Sequence, residues 1–99
     1  MVKIVWTELA LEDLKIIHNY IAQDSTSYAS RFIDKLLARV KQLETFPKSG
    51  RVVPEFSIDS IRELIEGNYR IVYKVNSEAV YIARVQHSAM ILSDIQKAR

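Results

Sequence analysis

Arginine is the residue type with the clearest potential for binding chemistry in this chain, because it is unevenly distributed. Seven basic residues follow position 50 and five of them are arginine, whereas the seven basic residues before it are mostly lysine. The guanidinium group is a rigid fork of donors that fits phosphate and carboxylate oxygens. We therefore expect the second half of the chain to carry a phosphate-binding surface or a set of ion pairs.

Composition excludes several classes of protein. A chain of 99 residues, 48% hydrophobic and 26% charged, is one globular domain rather than a disordered segment. The absence of cysteine excludes disulfide scaffolds, cysteine-based zinc sites and thiol catalysis. We predict no metal and no cofactor. No apolar run is long enough to span a membrane and no signal peptide is recognisable, so a cytoplasmic protein without a membrane partner is expected.

The first half of the chain predicts a strand at 2–6 and two amphipathic helices at 8–23 and 26–45. Thr7 and Ser25 are suited to cap the two helices. Because only a few residues join the helices, they must form an antiparallel hairpin. The apolar stripes, at helical spacing, are Ala10, Leu14, Ile17 and Ile21 in the first helix and Ala29, Phe32, Ile33, Leu36, Val40 and Leu43 in the second.

After Pro54 the apolar period becomes alternating, which predicts an antiparallel meander of three strands. The strands are 60–65, 69–75 and 79–86. For residues 88–99 the sequence allows either a short helix or a mobile tail. The predicted class is α+β, in the order β-α-α-β-β-β, with the helix hairpin packed on a small, mainly antiparallel sheet.

The face of the meander that the helices leave uncovered is expected to be basic. Arg70 and Lys74 alternate onto this face, and Arg62 or Arg84 joins them if the strand register allows.

An ordered series of short motifs carries a family resemblance. The motifs are Ala10-x-x-x-Leu14, Tyr20-Ile21-Ala22, Phe32-x-x-x-Leu36, Leu43-x-x-Phe46-Pro47, Gly50-Arg51-x-Val53-Pro54-Glu55, Arg62-Glu63-Leu64, Tyr69-Arg70-Ile71-Val72-Tyr73 and Val85-x-His87. With this order and spacing, residues 2 to about 88 resemble the ParE/RelE toxin superfamily of type II toxin–antitoxin (plasmid stabilisation) modules, and most closely its ParE-like branch. The resemblance implies the same β-α-α-β-β-β fold.

The resemblance also implies a function and a partner. The toxin would be neutralised by a cognate antitoxin of the ParD or RelB kind, in a hetero-oligomeric complex. ParE-like members poison DNA gyrase, whereas RelE-like members cut mRNA on the ribosome. We expect a gyrase poison that is not an enzyme. The alternatives are a RelE-like, metal-free endoribonuclease and an inactive homologue that binds only its antitoxin.

The ribonuclease alternative has its own set of candidate residues, which are Arg70, His87, Arg84 and Lys74. By resemblance, Arg70 matches the arginine that RelE-like and YoeB-like nucleases use against the phosphate, and His87 lies where YoeB-like enzymes have a C-terminal histidine. Two features depart from that pattern. Ser88 stands where a tyrosine is expected, and residues 52–58 lack the expected lysine pair.

Basic residues are also candidates for binding the target, the antitoxin or a phosphate. By family analogy, the exposed side of the second helix binds gyrase through Arg31, Lys35 and Arg39. The candidates for binding the antitoxin or a phosphate are Arg51, Arg62, Arg70 and Arg84. A structural alternative pairs Arg70 with Glu63 or Glu55 and makes Arg51 a support for its own loop. ParE-like chains often carry basic residues after the final histidine, whereas this tail lacks them until Lys97. An inactive toxin therefore remains an alternative.

Overall fold

The computed structural model describes residues 1–92, which form an antiparallel helix hairpin packed on one face of a five-stranded sheet. The elements are β1 (Lys3–Trp6), α1 (Glu8–Ala22), α2 (Thr26–Lys41), a 3-10 turn (Gln42–Glu44), β2 (Arg51–Val52), β3 (Ile61–Glu66), β4 (Tyr69–Val75) and β5 (Ala79–His87). The predicted α+β class and element order are confirmed. One short strand, β2, is additional to the prediction.

Both helices begin at the predicted capping residues. The hydroxyl of Thr7 accepts a hydrogen bond from the Ala10 amide, and that of Ser25 accepts one from the Tyr28 amide, each at 3.1 Å. The predicted apolar stripes form the buried face of the hairpin. Helix α2 ends at Lys41 rather than at residue 45, because the chain tightens there into the 3-10 turn.

The strands are arranged in the order β1-β5-β4-β3-β2. Strands β3, β4 and β5 form the predicted antiparallel meander, and Gly67, with a φ of 59°, makes the tight turn between β3 and β4. Strand β1 pairs with β5 in parallel, beginning with Lys3 opposite Ala79. The last strand therefore lies inside the sheet, between the first strand and the rest of the meander.

Apolar residues cover both faces of the sheet. The main core lies between the hairpin and the sheet and includes Ile71 and Tyr73 of β4. Because Val72 alternates with these two residues, it faces the other way, into a second cluster on the opposite face. The members of this second cluster are Val53, Ile61, Val72, Ala83 and Leu92, with Phe56 packed against them.

The strand register keeps two arginines away from the face opposite the helices. Cross-strand partners in an antiparallel pair share a face, and Arg62 is paired with Tyr73 of the main core. A one-residue shift in the β4–β5 register allows Arg84 to reach Asp13 of α1. Neither Arg62 nor Arg84 therefore shares the face of the sheet on which Arg70 lies.

Candidate functional site

Four charged side chains form an ion-pair cluster on the sheet face opposite the helices. Arg70 Nη1 donates to Glu55 Oε1 and to Glu63 Oε1, both at 3.0 Å, and Arg70 Nη2 donates to Glu55 Oε2 at 2.5 Å. Arg51 Nε donates to the second oxygen of Glu63, also at 2.5 Å. In this Arg70 cluster, two guanidinium groups balance the charge of two carboxylates.

Burial makes the pairing of the Arg70 cluster difficult to break. Glu63 is 1% exposed and Arg70 is 4% exposed, and a buried charge that loses its partner costs about 3–5 kcal/mol. The hydrogen bonds from Arg70 lower the pKa of Glu55 to about 2. Bonds to Glu55, and then to Glu63, raise the pKa of Arg70. Glu55 and Arg70 are therefore both charged at neutral pH, and they neutralise each other.

The segment that follows β5 closes over the Arg70 cluster. We call residues 88–92 the C-terminal strap. Arg70 Nη2 donates to the Met90 carbonyl at 2.6 Å, and the Leu92 amide donates to Glu55 Oε2 at 3.3 Å. The Leu92 side chain is buried in the second cluster. The predicted tail continues into residues 93–99, including Lys97, and that part lies outside the described residues.

A separate ion pair joins α1 to β5. Arg84 Nε and Nη2 donate to the two carboxylate oxygens of Asp13 at 2.9 and 3.1 Å, and the Val85 amide donates to Asp13 at 2.9 Å. The hydrogen bonds to Asp13 raise the pKa of Arg84. The sequence reasoning missed Asp13. Its spacing, three residues after Ala10 and four before Ile17, was the signal that places this carboxylate on the buried side of the helix.

An open groove lies beside this ion pair, between α1 and β5. Its volume is about 380 Å³. Its walls include Ile16, Tyr20, Tyr69 and Met90, with Arg84 and His87 among its polar residues. Ile16 and Tyr20 are 59% and 67% exposed. Because exposed apolar side chains grouped in one groove are typical of a protein-binding surface, this apolar groove is a candidate interface.

The exposed side of α2 carries three basic residues near the β3–β4 turn. The Arg31 guanidinium lies 5.9 Å from the centre of the Tyr28 ring. Lys35 and Arg39 both approach Glu66 at the end of β3, at 3.4 and 3.8 Å. Lys35 is well exposed, whereas Arg39 and Glu66 are partly buried. We call Arg31, Lys35 and Arg39 the α2 basic surface; Arg31 and Lys35 are its exposed members.

Comparison with known families identifies the family of this chain. Residues 4–92 match the family model described as ParE toxin of type II toxin-antitoxin system, parDE. The chain belongs to the ParE toxin family. It is the toxin component of a type II toxin–antitoxin module, and membership of this family implies an antitoxin partner.

Similar proteins place this ParE-family toxin within the ParE/RelE superfamily. It is 35% identical over 92 residues to Toxin RelE2 of Caulobacter vibrioides, covering 92% of this chain and 100% of the relative. A solved structure described as the chromosomal ParDE TA system from P. aeruginosa has a TM-score of 0.72 and 21% identity, covering 88% of this chain and 96% of that one. The YoeB dimer from Staphylococcus aureus has a TM-score of 0.60 and 17% identity, covering 87% and 95%. The predicted family and fold are confirmed, whereas these names do not distinguish between molecular targets.

The four ribonuclease candidates of this ParE-family toxin do not converge on one site. Arg84 and His87 line the apolar groove on the helix side of the sheet. Arg70 lies on the opposite face beneath the C-terminal strap, and Lys74 shares that face because its partner in β3 belongs to the second cluster. His87 is exposed, and its Nδ1 accepts a hydrogen bond from the amide of Ala89 at 3.1 Å.

The other basic candidates fasten parts of the fold together. The structural alternative for Arg70 is confirmed, since it pairs with both of the carboxylates that this alternative named, and Arg51 shares one of them. Arg62 donates to the carbonyls of Lys48 and Gly50 at 3.2 and 2.9 Å and pairs with Asp59. Within residues 1–92, no three His, Cys, Asp or Glu side chains are grouped as a metal site would require. None of the helices in this part of the chain has the length and apolar character of a membrane span.

Proposed function

We propose that this toxin inhibits growth by poisoning DNA gyrase and that its antitoxin neutralises it. The observation that carries the proposal is the pairing of Arg70. Its guanidinium donates to Glu55, Glu63 and the Met90 carbonyl, so a substrate phosphate would have to displace these acceptors. The arginine that a nuclease of this superfamily would use to hold a phosphate is already engaged within the fold. This favours a toxin that acts by binding a protein.

The α2 basic surface is the proposed contact with gyrase. Lys35 is 66% exposed and Arg39 is 33% exposed, and Glu66 lies close to both, which limits the positions that the two side chains adopt. Clustered positive charge of this kind accelerates association with an acidic patch on a partner and determines the orientation of binding. The target would therefore present carboxylates to this side of α2.

The apolar groove is the proposed site for the antitoxin. Ile16, Tyr20 and Met90 are all exposed, so a partner that covers them would bury a substantial apolar area. A short antitoxin segment that orders on binding would be suited to such a groove, because its apolar side chains would replace water there.

A gyrase cleavage assay tests the proposed target. Purified toxin is incubated with gyrase, ATP and supercoiled plasmid, and linear and nicked DNA is scored after the enzyme is denatured. We expect cleavage complexes to accumulate, and we expect preincubation with the antitoxin to prevent them. A folded sample that binds its antitoxin and yet traps no cleaved DNA would contradict the proposal for the gyrase tested.

Two observations favour the ribonuclease alternative. Arg84 and His87 share the apolar groove, and a relative at 35% identity is named Toxin RelE2. Programmed ribosomes and primer extension on the mRNA test it directly. Cleavage that His87→Ala abolishes would support the ribonuclease. If both assays are negative and overproduction does not slow growth, the protein is an inactive homologue that binds only its antitoxin.

A further inference from the structure

The C-terminal strap is anchored at its start, middle and end. At its start, the Ser88 amide and hydroxyl both donate to the Asn68 carbonyl, at 2.8 and 3.1 Å. In its middle, the Met90 carbonyl accepts from Arg70, and at its end the Leu92 amide donates to Glu55. The charged groups that hold the middle and the end of the strap are therefore bonded to each other.

Most of the strap has little else to hold it. Met90 is 54% exposed and Ile91 is 84% exposed, whereas Leu92 is 6% exposed in the second cluster. Beyond Ser88, the amides of Ala89 and Met90 bond only to the adjacent His87, so the strap is attached to the rest of the fold by the Leu92 side chain and by two backbone hydrogen bonds to charged groups. Hydrogen bonds in which one partner is charged are about twice as strong as neutral ones. Glu55 and Arg70 consequently dominate the polar attachment of this segment.

Closure of the strap also has an unfavourable side. Arg70 Nε and Gln86 Nε2 are buried with no hydrogen-bond acceptor in the described part of the chain, and the two residues are directly opposite each other in β4 and β5. A buried donor without an acceptor is destabilising, because it has lost its hydrogen bond to water. Because the strap lies over Arg70, opening it would let water reach this region. The closed and open arrangements are therefore closer in free energy than the contacts of Leu92 alone would suggest.

We propose that Glu55 and Arg70 are positioning residues that form a latch, which holds the C-terminal strap closed over the sheet and sets the path of the chain after β5. In this arrangement, toxicity depends on Arg70 through the strap and not through contact between Arg70 and the target. The inference goes beyond the proposed function and does not depend on which target the toxin has.

Amide hydrogen exchange of the isolated toxin tests the latch without any target. Glu55→Ala removes the latch at an exposed position, while Arg70 keeps its bond to Glu63. Asp59→Ala is the matched control, because it removes another ion-paired carboxylate from the same loop without touching the strap. We expect exchange of the Leu92 amide to be about tenfold faster in Glu55→Ala, with the amides of β4 and β5 unchanged, and no change in Asp59→Ala. Unchanged exchange at Leu92, or a rise that only parallels the sheet amides, would overturn the latch.

Growth inhibition then tests whether Arg70 acts through the strap. We expect Arg70→Ala, Glu55→Ala and Leu92→Ala to reduce toxicity together, while Asp59→Ala retains it. The proposal is overturned if Glu55→Ala and Leu92→Ala remain fully toxic although their exchange shows an open strap. If Arg70→Ala fails to fold, these two variants still decide the question. If the unmodified chain proves non-toxic, the proposed function and the link from the strap to toxicity both fail, and the exchange measurement still decides whether Glu55 and Arg70 hold the strap closed.

Discussion

The carboxylate of Asp13 on α1 holds the guanidinium of Arg84 on β5 through two hydrogen bonds at 2.9 and 3.1 Å. The same carboxylate accepts the Val85 amide, so it binds both a side chain and the backbone of the strand. This contact fastens the hairpin to the sheet where the β4–β5 register shifts, beside the apolar groove. It determines the position of the groove walls relative to each other.

Replacing Asp13 should therefore destabilise the fold more than its place in a helix suggests. Asp13→Ala leaves the Val85 amide and the Arg84 guanidinium without an acceptor, and we expect the free energy of unfolding to fall by about 3 kcal/mol. Urea denaturation followed by circular dichroism measures the free energy of unfolding. Glu12→Ala, at the exposed neighbouring position, should change it by less than about 0.5 kcal/mol. Equal effects of the two substitutions would contradict a structural role for Asp13.

The pairing of Arg70 with Glu55 should make stability depend on pH in the acid range. Hydrogen bonding to Arg70 lowers the pKa of Glu55 from 4.5 to about 2. A lowered pKa in the folded state stabilises the fold above the unfolded pKa, and this stabilisation is lost as pH falls from 4.5 towards 2. Since the Glu55 side chain is 26% exposed, we expect a contribution of about 1–2 kcal/mol, reduced by solvent screening.

Urea denaturation of the unmodified chain and of Glu55→Gln at several pH values measures this contribution. The difference between the two proteins should be largest above pH 4.5 and should vanish near pH 2. Asp59→Asn is the control, because Lys48 and Arg62 also lower the pKa of Asp59 but its side chain is 68% exposed. Added salt should abolish the effect of Asp59→Asn and leave that of Glu55→Gln largely intact. A difference for Glu55→Gln that does not vary with pH would refute the assignment.

Gly50 occupies a position without room for a side chain. A Cβ atom there would overlap the carbonyl oxygen of Glu63 and lie 2.7 Å from the hydroxyl of Tyr73, which accepts the Gly50 amide at 3.0 Å. We expect Gly50→Ala to lower the free energy of unfolding by about 2 kcal/mol through overpacking. Thermal denaturation measures the loss, with Ser49→Ala at the exposed neighbouring position as control. Unchanged thermal stability of Gly50→Ala would show that this loop adapts easily.

Neutralising the α2 basic surface should separate toxicity from neutralisation. We expect the triple variant Arg31→Gln, Lys35→Gln, Arg39→Gln to lose most of its toxicity while it binds the antitoxin with unchanged affinity. A triple glutamine variant of the exposed lysines Lys3, Lys15 and Lys41 removes the same charge elsewhere and should remain toxic. Growth assays and calorimetric titration with the antitoxin provide the two readouts. Retained toxicity of the first variant would remove the α2 basic surface from the proposed interface.

Truncating the walls of the apolar groove should weaken binding of the antitoxin. Tyr20→Ala removes an exposed aromatic side chain, so we expect little change in stability and at least a tenfold loss of antitoxin affinity, about 1.4 kcal/mol or more. Leu37→Ala, on α2 and 41% exposed, is the matched control for loss of exposed apolar surface. If the two substitutions weaken the antitoxin complex equally, the groove is not the specific binding site.

The elements of this toxin could be predicted from its sequence because they depend on neighbouring residues. Helix spacing located the hairpin, and the capping side chains of Thr7 and Ser25 marked where each helix begins. Alternation located the three strands of the meander. The motif series predicted the family, and the carboxylates near Arg70 were recognisable as its partners. Each of these inferences uses residues that are close in the chain or in one ordered pattern.

The tertiary structure alone decided which distant residues meet. The parallel pairing of β1 with β5, and the contact of Asp13 with Arg84 across 71 positions, depend on how the hairpin packs on the sheet. A register shift of one residue sent Arg84 to the helices and left Arg70 on the other face. The closure of the strap over Arg70 depends on the packing of Leu92 in the second cluster. Local propensity carries no information on register or on such long-range packing, because both are determined by the free energy of the assembled core.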